Sequence, residues 1–435
     1  MSIYTPHTKG DIKEMFEALN ISSLDDLYSM VPKGVLLDKL DLPEGVSQAD
    51  AEIEIKKMAG KNHIYSAYLR GNGSYYHYIP AVVRKMAERS EFVTAYTPYQ
   101  AELNQGILQS IFEYQTMICD ITGMDISNAS HYDGATASAE AILMCSDKKR
   151  NKVILAPFVN DDTKVVFRTY LNSMEIIEAP SKDGKVDLAG LSALLENDVA
   201  CFYLEQPSAI GIIEQAKEIG ELVHSVGAKF IIKSYPIALG LIANPRDCGA
   251  DIATAEGQSL GLPMAFGGPY LGIMATTKAM QRKLPGRIVG QTVDSRGDKA
   301  YVLTLQAREQ HIRREKASSN ICSNEALCAL ITSMYLATMG PEGLNKVAKI
   351  CVNNAHYLQK ELEKVGLKRK YDVEFFNEFV TTSDVLANKI LNKLDQNDIL
   401  GGVMLNDFDI LWCATEMVSK NDIEKTAKLV GEVLC

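Results

Sequence analysis

Residues 92–141, FVTAYTPYQAELNQGILQSIFEYQTMICDITGMDISNASHYDGATASAEA, decide how the rest of the chain is read. They join a polar, Tyr-rich turn (Tyr96, Thr97, Pro98, Tyr99, Gln100) to a long amphipathic stretch, and then to a small-residue loop that opens a second helix. Pro98 cannot continue a helix and biases Thr97 toward extended geometry, which stiffens the turn before a helix predicted from about Ala101. Leu103, Ile107, Ile111, Tyr114, Ile118 and Ile121 then recur at steps of four or three, the spacing of one core-facing helical stripe. Gly123 suits the left-handed position just past the helix end. Residues 130–138, SHYDGATAS, feed a helix whose first-turn amides no large side chain shields, a geometry that suits a phosphate or a carboxylate. The same small residues also serve close packing, and the sequence leaves both readings open.

The chain has 435 residues, 46% of them hydrophobic and 23% charged, which is ordinary globular composition and long enough for two domains and an arm. A net charge of −10 argues against a nucleic-acid binder, since phosphate neutralisation needs a basic surface. Nine cysteines without a CxxC pair fit small buried thiols in a reducing compartment, so a cytoplasmic protein without a zinc site is expected. No run approaches the roughly 18 apolar residues that would span a bilayer, and none reads as a signal peptide.

Residues 1–65 read as a polar helical arm without a core of its own. Ile12, Met15, Phe16 and Leu19 fall at helical spacing in DIKEMFEALN. From 66 to 330 short apolar runs (NKVILA, MEIIEA, VACFYLEQP, AKFIIKS, DIATAEG, YLGIMAT) alternate with helical segments. That alternation predicts an α/β fold, a mainly parallel sheet covered on both faces, with ligands beyond the carboxyl ends of the strands. The residues to inspect there are Gln206-Pro207, Ser234-Tyr235-Pro236 and Glu256 to Gly261. Residues 331–435 read as a small α+β domain. Gly71-Asn72-Gly73-Ser74-Tyr75-Tyr76-His77-Tyr78 has a glycine pair but no strand running into it, so it is no dinucleotide fingerprint. It reads as a packed turn, or as part of the pocket of the Tyr96–Gln100 turn. His131 and His311 have no metal-ligand spacing and read as structural.

Four ordered motifs, YTPYQAELNQG (96–106), EYQTMICDITGMDISNASHYDGATA (113–137), GQSLGLPMAFGGPYLG (257–272) and LQAREQHIRREKASSNIC (305–322), together resemble the glycine cleavage system P-protein family, in its first-subunit, two-chain form. The resemblance implies the aspartate-aminotransferase-like (type I) fold of pyridoxal phosphate enzymes. It also implies an (αβ)2 heterotetramer with a homologous beta subunit, and a reaction in which glycine is decarboxylated and its aminomethyl group passed to the lipoyl arm of the H-protein.

A pyridoxal phosphate site needs a lysine for the imine, an acid against the pyridine nitrogen and amides for the phosphate. At the places that the resemblance assigns to the lysine and the acid stand Gln258 and Tyr235, and the loop Asp133-Gly134-Ala135 reads as a relic of the phosphate loop. The cofactor is therefore expected on the beta subunit, with no catalytic residue in this chain alone. Tyr96, Thr97, Tyr99, Gln100 and Glu102 are the expected substrate- or partner-facing residues. Tyr96 and Tyr99 packed under the helix, their hydroxyls on backbone carbonyls, is the alternative. Lys233, within a strand, and Lys278, on a surface helix, read as solvated. The basic run 308–316, REQHIRREK, is a solvated or ion-paired face, or a contact for the H-protein or for a cofactor phosphate. Two other functions stay open: an autonomous amino-acid decarboxylase or aminotransferase using Lys233, and a purely scaffolding subunit.

Overall fold

A computed structural model of the protein describes residues 6–37, 39–95, 97–306, 309–317 and 319–434. The chain forms two compact units, Met1–Ile64 and Tyr65–Cys435. In the first, the helix Lys9–Leu19 starts from a capping box between Thr8 and Asp11, and the helix Gln48–Ala59 from a Ser47 cap. None of the unit's described residues is buried. These helices are held by caps and not by a core.

The second unit is built on a seven-stranded sheet. In chain order it contains α1 (Gln105–Thr122), β1 (Ile126–Ser127), α2 (Gly134–Cys145), β2 (Lys152–Leu155), α3 (Asp161–Tyr170), β3 (Glu175–Glu178), β4 (Val199–Gln206), α4 (Ala216–Ser225), β5 (Lys229–Ser234), β6 (Ile252–Glu256) and β7 (Gly272–Thr276). The sheet order is 3-2-4-5-6-7-1. Strands β3, β2, β4, β5 and β6 pair in parallel, while β7 runs antiparallel to both β6 and β1. All eight residues of β4 are buried, as a central strand covered on both faces requires. The α/β alternation legible in the sequence is thus the architecture, and β7 is the strand whose reversed direction periodicity does not reveal.

Helix α1 keeps the predicted phase only in part. Its buried residues are Leu108, Ile111, Tyr114, Gln115, Ile118 and Thr122. Leu103 lies in a 3-10 turn before the helix and is 77% exposed. Pro98 and that turn delay the helix to Gln105, which rotates Leu103 off the stripe. Gly123 ends it in the left-handed region (φ +72°), its N–H donating to Cys119 O at 2.8 Å.

A hairpin, β8 (Ile288–Val293) and β9 (Lys299–Thr304), lies against α1. The helix α5 (Ala326–Lys364) breaks at Gly340, ahead of Pro341, into two helical segments. The C-terminal sheet comprises β10 (Lys368–Arg369), β11 (Glu378–Thr382), β12 (Val403–Met404) and β13 (Asp409–Cys413), all antiparallel. With α6 (Ala387–Asp395) and α7 (Lys420–Leu434) it encloses a second core around Phe379, Trp412, Leu394 and Val430. Among the described residues no helix is long and apolar enough to cross a membrane.

The loop after β4 is seated on β11. Gly211 (φ +84°) passes so close that a Cβ there would lie 1.9 Å from Glu378 O. Gly211→Ala is therefore expected to cost on the order of 2–4 kcal/mol, strain and overlap adding. A urea unfolding midpoint equal to that of the parent chain would contradict this.

Candidate functional site

The strand ends singled out from the alternation converge on one cleft. Its lining includes Pro207 after β4, Ser234, Tyr235 and Pro236 after β5, and Glu256, Gln258 and Ser259 after β6, with Tyr75 and Glu378 closing it from other segments. About 60 Å³ of open space remains.

Gln258 is 1% exposed and its amide is engaged. The Tyr75 N–H donates to Gln258 Oε1 (2.9 Å), and Gln258 Nε2 donates to the carbonyls of Tyr75 (3.0 Å) and Leu262 (2.9 Å). The 71–78 loop is thus tied to the end of β6. It shares no lining residue with the cavities beside the Thr97–Gln100 turn, which disfavours the shared pocket of the two readings that the sequence left open.

Glu256 faces the N-terminus of α2. Its Oε2 accepts from the Gly134 N–H (2.9 Å), its Oε1 from the N–H groups of Gln258 (3.0 Å) and Leu271 (3.2 Å). A Cβ on Gly134 would come 2.8 Å from Glu256 N, so glycine is what lets the helix end approach the strand end. Asp133 caps the same helix, its Oδ1 accepting from the Thr136 N–H at 2.8 Å. The amide expected to greet a phosphate greets the chain's own carboxylate.

Tyr235 hydrogen-bonds through its hydroxyl to His77 Nε2, and His77 Nδ1 lies 2.7 Å from Glu416 Oε2. Burial opposes ionisation of Glu416, but the His77 contact and the Tyr78 N–H hold its carboxyl below the usual range. With Cys351, whose thiol donates to Glu416 Oε2 at 3.4 Å, this is a trio of ligand-type atoms within 4.8 Å that no sequence spacing announced.

Lys233 departs from its sequence reading. It is 16% exposed and its Nζ lies 3.0 Å from Glu205 Oε1, which also accepts from the Tyr203 hydroxyl. Lys278 is exposed, as expected. His131 is fully buried, bonded to Asn128 at 2.6 Å, and burial pulls its pKa down to about 3, consistent with a structural role.

The predicted turn belongs to a second cluster, organised by Arg287, which is 3% exposed. Arg287 Nη2 donates to the Tyr99 hydroxyl (3.0 Å) and to Cys322 Sγ (3.2 Å), and Nη1 to Ser323 Oγ (3.0 Å). Thr97 Oγ1 hydrogen-bonds Ser323 Oγ. The Tyr99 hydroxyl therefore meets a guanidinium and not a backbone carbonyl, and its ring is about half exposed. Gln100 and Glu102 are exposed; Tyr96 and Arg308 lie outside the described residues. Partial burial opposes ionisation of Cys322, but Arg287 holds its thiol below the ordinary range. Pro98, Ile107, Ile111 and Tyr114 wall an apolar groove of about 240 Å³ ending on Arg287. Sequence reading missed this arginine. The signal was a lone cation heading the otherwise apolar start of β8.

Glu378 is buried, its Oε1 accepting from the Asn72 N–H (2.7 Å) and its Oε2 from the Tyr75 hydroxyl (2.8 Å). Burial pushes its pKa up to about 7. A carboxyl raised in the folded state stabilises below its unfolded pKa, about 4.3, and that contribution is lost as pH climbs through 7. The swing is at most about 4 kcal/mol. Glu378→Gln keeps an acceptor and offers Tyr75 a donor, so the variant is expected to gain on the parent chain from pH 5 to pH 8. Urea midpoints that run parallel across that range would rule the assignment out.

A profile of the glycine cleavage system P-protein family matches residues 2–430. The probable glycine dehydrogenase (decarboxylating) subunit 1 of Moorella thermoacetica is 45% identical over 442 residues, covering 99% of each chain. That of Syntrophomonas wolfei subsp. wolfei is 46% identical over 434 residues, covering 98% of this chain and 99% of its own. A crystal structure of glycine decarboxylase (P-protein) of the glycine cleavage system, in inhibitor-bound form, superposes over the whole of both chains with a TM-score of 0.93 at 39% identity. Alanine–glyoxylate aminotransferase from Nostoc sp., at 16% identity and a TM-score of 0.58, shares the fold. With matches that run the length of the chain, this protein belongs to the glycine cleavage system P-protein family.

Proposed function

We propose that this chain is subunit 1, the alpha subunit, of a two-chain glycine dehydrogenase (decarboxylating) in the cytoplasm. A homologous beta subunit carries pyridoxal phosphate, glycine is decarboxylated there, and the lipoylated H-protein takes the aminomethyl group, in an (αβ)2 assembly. Residues 1–65 are an arm, 66–330 the large domain and 331–435 the small one.

The observation that carries the reading is Gln258. Pyridoxal phosphate is held through an amine, and an amide cannot form that imine. All of the Gln258 amide is committed to Tyr75 and Leu262. The other two requirements fare no better. Tyr235 offers a phenol already bonded to His77, and the first amide of α2 is taken by Glu256. Lys233, the alternative amine, is held by Glu205. The donor set does not fit the cofactor, so no step of the reaction is routed through this cleft.

What the chain contributes is then position. Thr97 and Tyr99 are fixed through Arg287 and Ser323, and Gln100 and Glu102 stand free on the same turn to face substrate or partner. The basic run 308–316 is the contact offered to the H-protein.

Purified alone, the chain is expected to be colourless, to yield no pyridoxyl-lysine after borohydride reduction and to catalyse no glycine–bicarbonate exchange until the beta subunit is added. A labelled Lys233 peptide would favour the autonomous enzyme. In the complex, Gln100→Ala and Glu102→Ala are each expected to lower exchange several-fold with assembly intact; unaltered turnover would favour a scaffold. Reversing the charges of Arg313 and Arg314 is expected to raise the KM for H-protein and to change its salt dependence.

A further inference from the structure

Three buried side chains meet where the 71–78 loop, α5 and the segment after β13 converge. His77 Nδ1 lies 2.7 Å from Glu416 Oε2, Cys351 Sγ lies 3.4 Å from the same oxygen, and the three ligand atoms fall within 4.8 Å of one another. The His77 and Glu416 side chains are 2% and 10% exposed, and Cys351 is a fully buried free thiol. A tetrahedral zinc ion, with bonds of about 2.1 Å to nitrogen and oxygen and about 2.3 Å to sulfur, holds such atoms roughly 3.3–3.6 Å apart. Parting the imidazole from the carboxylate by about 0.6 Å therefore makes the trio one face of a metal site.

The groups behind the trio hold it in that attitude. With its proton on Nε2, donated to the Tyr235 hydroxyl, the His77 ring turns the Nδ1 lone pair toward Glu416 and Cys351. Glu416 Oε1 accepts from the Tyr78 N–H at 2.8 Å, which leaves Oε2 to face the other two. Charge is a second argument. Among the described residues no lysine or arginine bonds to any of the three. A carboxylate, a thiolate and a neutral imidazole carry two negative charges together, and a divalent cation cancels both, so the filled site buries no net charge.

A third observation comes from outside the trio. Tyr335, on the first segment of α5, is fully buried, and its hydroxyl has no hydrogen-bond partner among the described residues. Buried polar groups are ordinarily bonded, and this one stands within electrostatic reach of Glu416 and Cys351. Beside a three-coordinate ion it is the group left to complete or to bond the fourth position. No cavity is required: the ion replaces the Cys351 proton, which passes to solvent as the sulfur–metal bond forms.

The geometry points to a structural metal site in which His77 Nδ1, Cys351 Sγ and Glu416 Oε2 bind one divalent ion, with Tyr335 at the fourth position. The mixture of imidazole, thiolate and carboxylate suits zinc and not magnesium or calcium. The sequence expectation of no zinc site rested on spacing within one segment, whereas these donors come from three. None of the trio lines the cleft at the strand ends, so the site stands apart from the subunit reading. It would staple the 71–78 loop and the end of β13 to α5.

A closed site fills as the chain folds, so the test is to produce the full chain in zinc- and in cobalt-supplemented minimal medium and to desalt it. About one metal ion per chain is expected, with a thiolate-to-cobalt charge-transfer band in the near ultraviolet and a Tm that falls on prolonged chelation. Cys351→Ser and His77→Gln are expected to weaken zinc at least about hundredfold and to abolish the band, and Tyr335→Phe to weaken zinc about tenfold. Cys322→Ser, which removes an exposed thiol, is expected to keep both metal and band. The inference is overturned, leaving a hydrogen-bonded cluster only, if no metal survives desalting, if the cobalt form lacks the thiolate band, or if Cys351→Ser retains zinc as tightly as the parent chain.

Discussion

A glutamine side chain can exchange two hydrogen bonds with the N–H and C=O of a single residue, doing for one position what a neighbouring strand does for a row. Among the described residues four glutamines act in this way. Gln105 clasps Tyr301, Gln115 clasps Val289, Gln206 clasps Glu214 and Gln258 clasps Tyr75. The first two fasten α1 to the hairpin of β8 and β9, and the last two fasten loops to the ends of β4 and β6. Lysine has donors only, so it could not accept the Tyr75 N–H. The amide at Gln258 is therefore a structural bond in its own right. Through Tyr75 it reaches Glu378, and along the same loop His77 reaches Tyr235 and Glu416.

Glu256 completes this inward turn of the strand ends. The N-terminus of a 12-residue helix offers unpaired N–H groups and a partial positive charge, worth about 0.3–1 kcal/mol to a nearby anion. Against that stands the burial of the carboxyl, which pushes its pKa up to about 7 despite three backbone donors. Burial outweighs the helix end and its donors, so the carboxyl is only partly ionised at neutral pH. An internal carboxyl thus occupies the mouth of this helix at a cost to its own ionisation.

The parallel sheet was legible because its strands are short apolar runs of residues adjacent in sequence, with β4, β5 and β6 running into Gln-Pro, Tyr-Pro and Glu-Gly. The rule that ligands sit beyond strand ends then located the cleft from Pro207, Tyr235 and Glu256 alone. What closes the cleft was not legible. Glu378 comes from the C-terminal sheet and Tyr75 from a loop far upstream, and pairing across such separations leaves no periodic trace. The same holds for Arg287, whose partners Tyr99 and Ser323 lie on opposite sides of it in sequence. Lys233 was misjudged for a related reason: a lysine in a strand reads as snorkelling until the facing Glu205 on β4 is known. Leu103 failed because a stripe was extended through a turn that resets the helical phase.

One loop runs against this inward economy. Phe266, in the glycine-rich segment after Gln258, is 99% exposed and sits at φ +49°. Exposed apolar residues are common on any surface, and exposure alone decides nothing. A left-handed backbone at an aromatic residue is another matter, costing on the order of 1–3 kcal/mol that nothing around this side chain offsets. Within the two-chain reading, the segment that in a cofactor-bearing relative would carry the imine lysine has been emptied of chemistry at Gln258, yet keeps a strained, presented aromatic eight residues on.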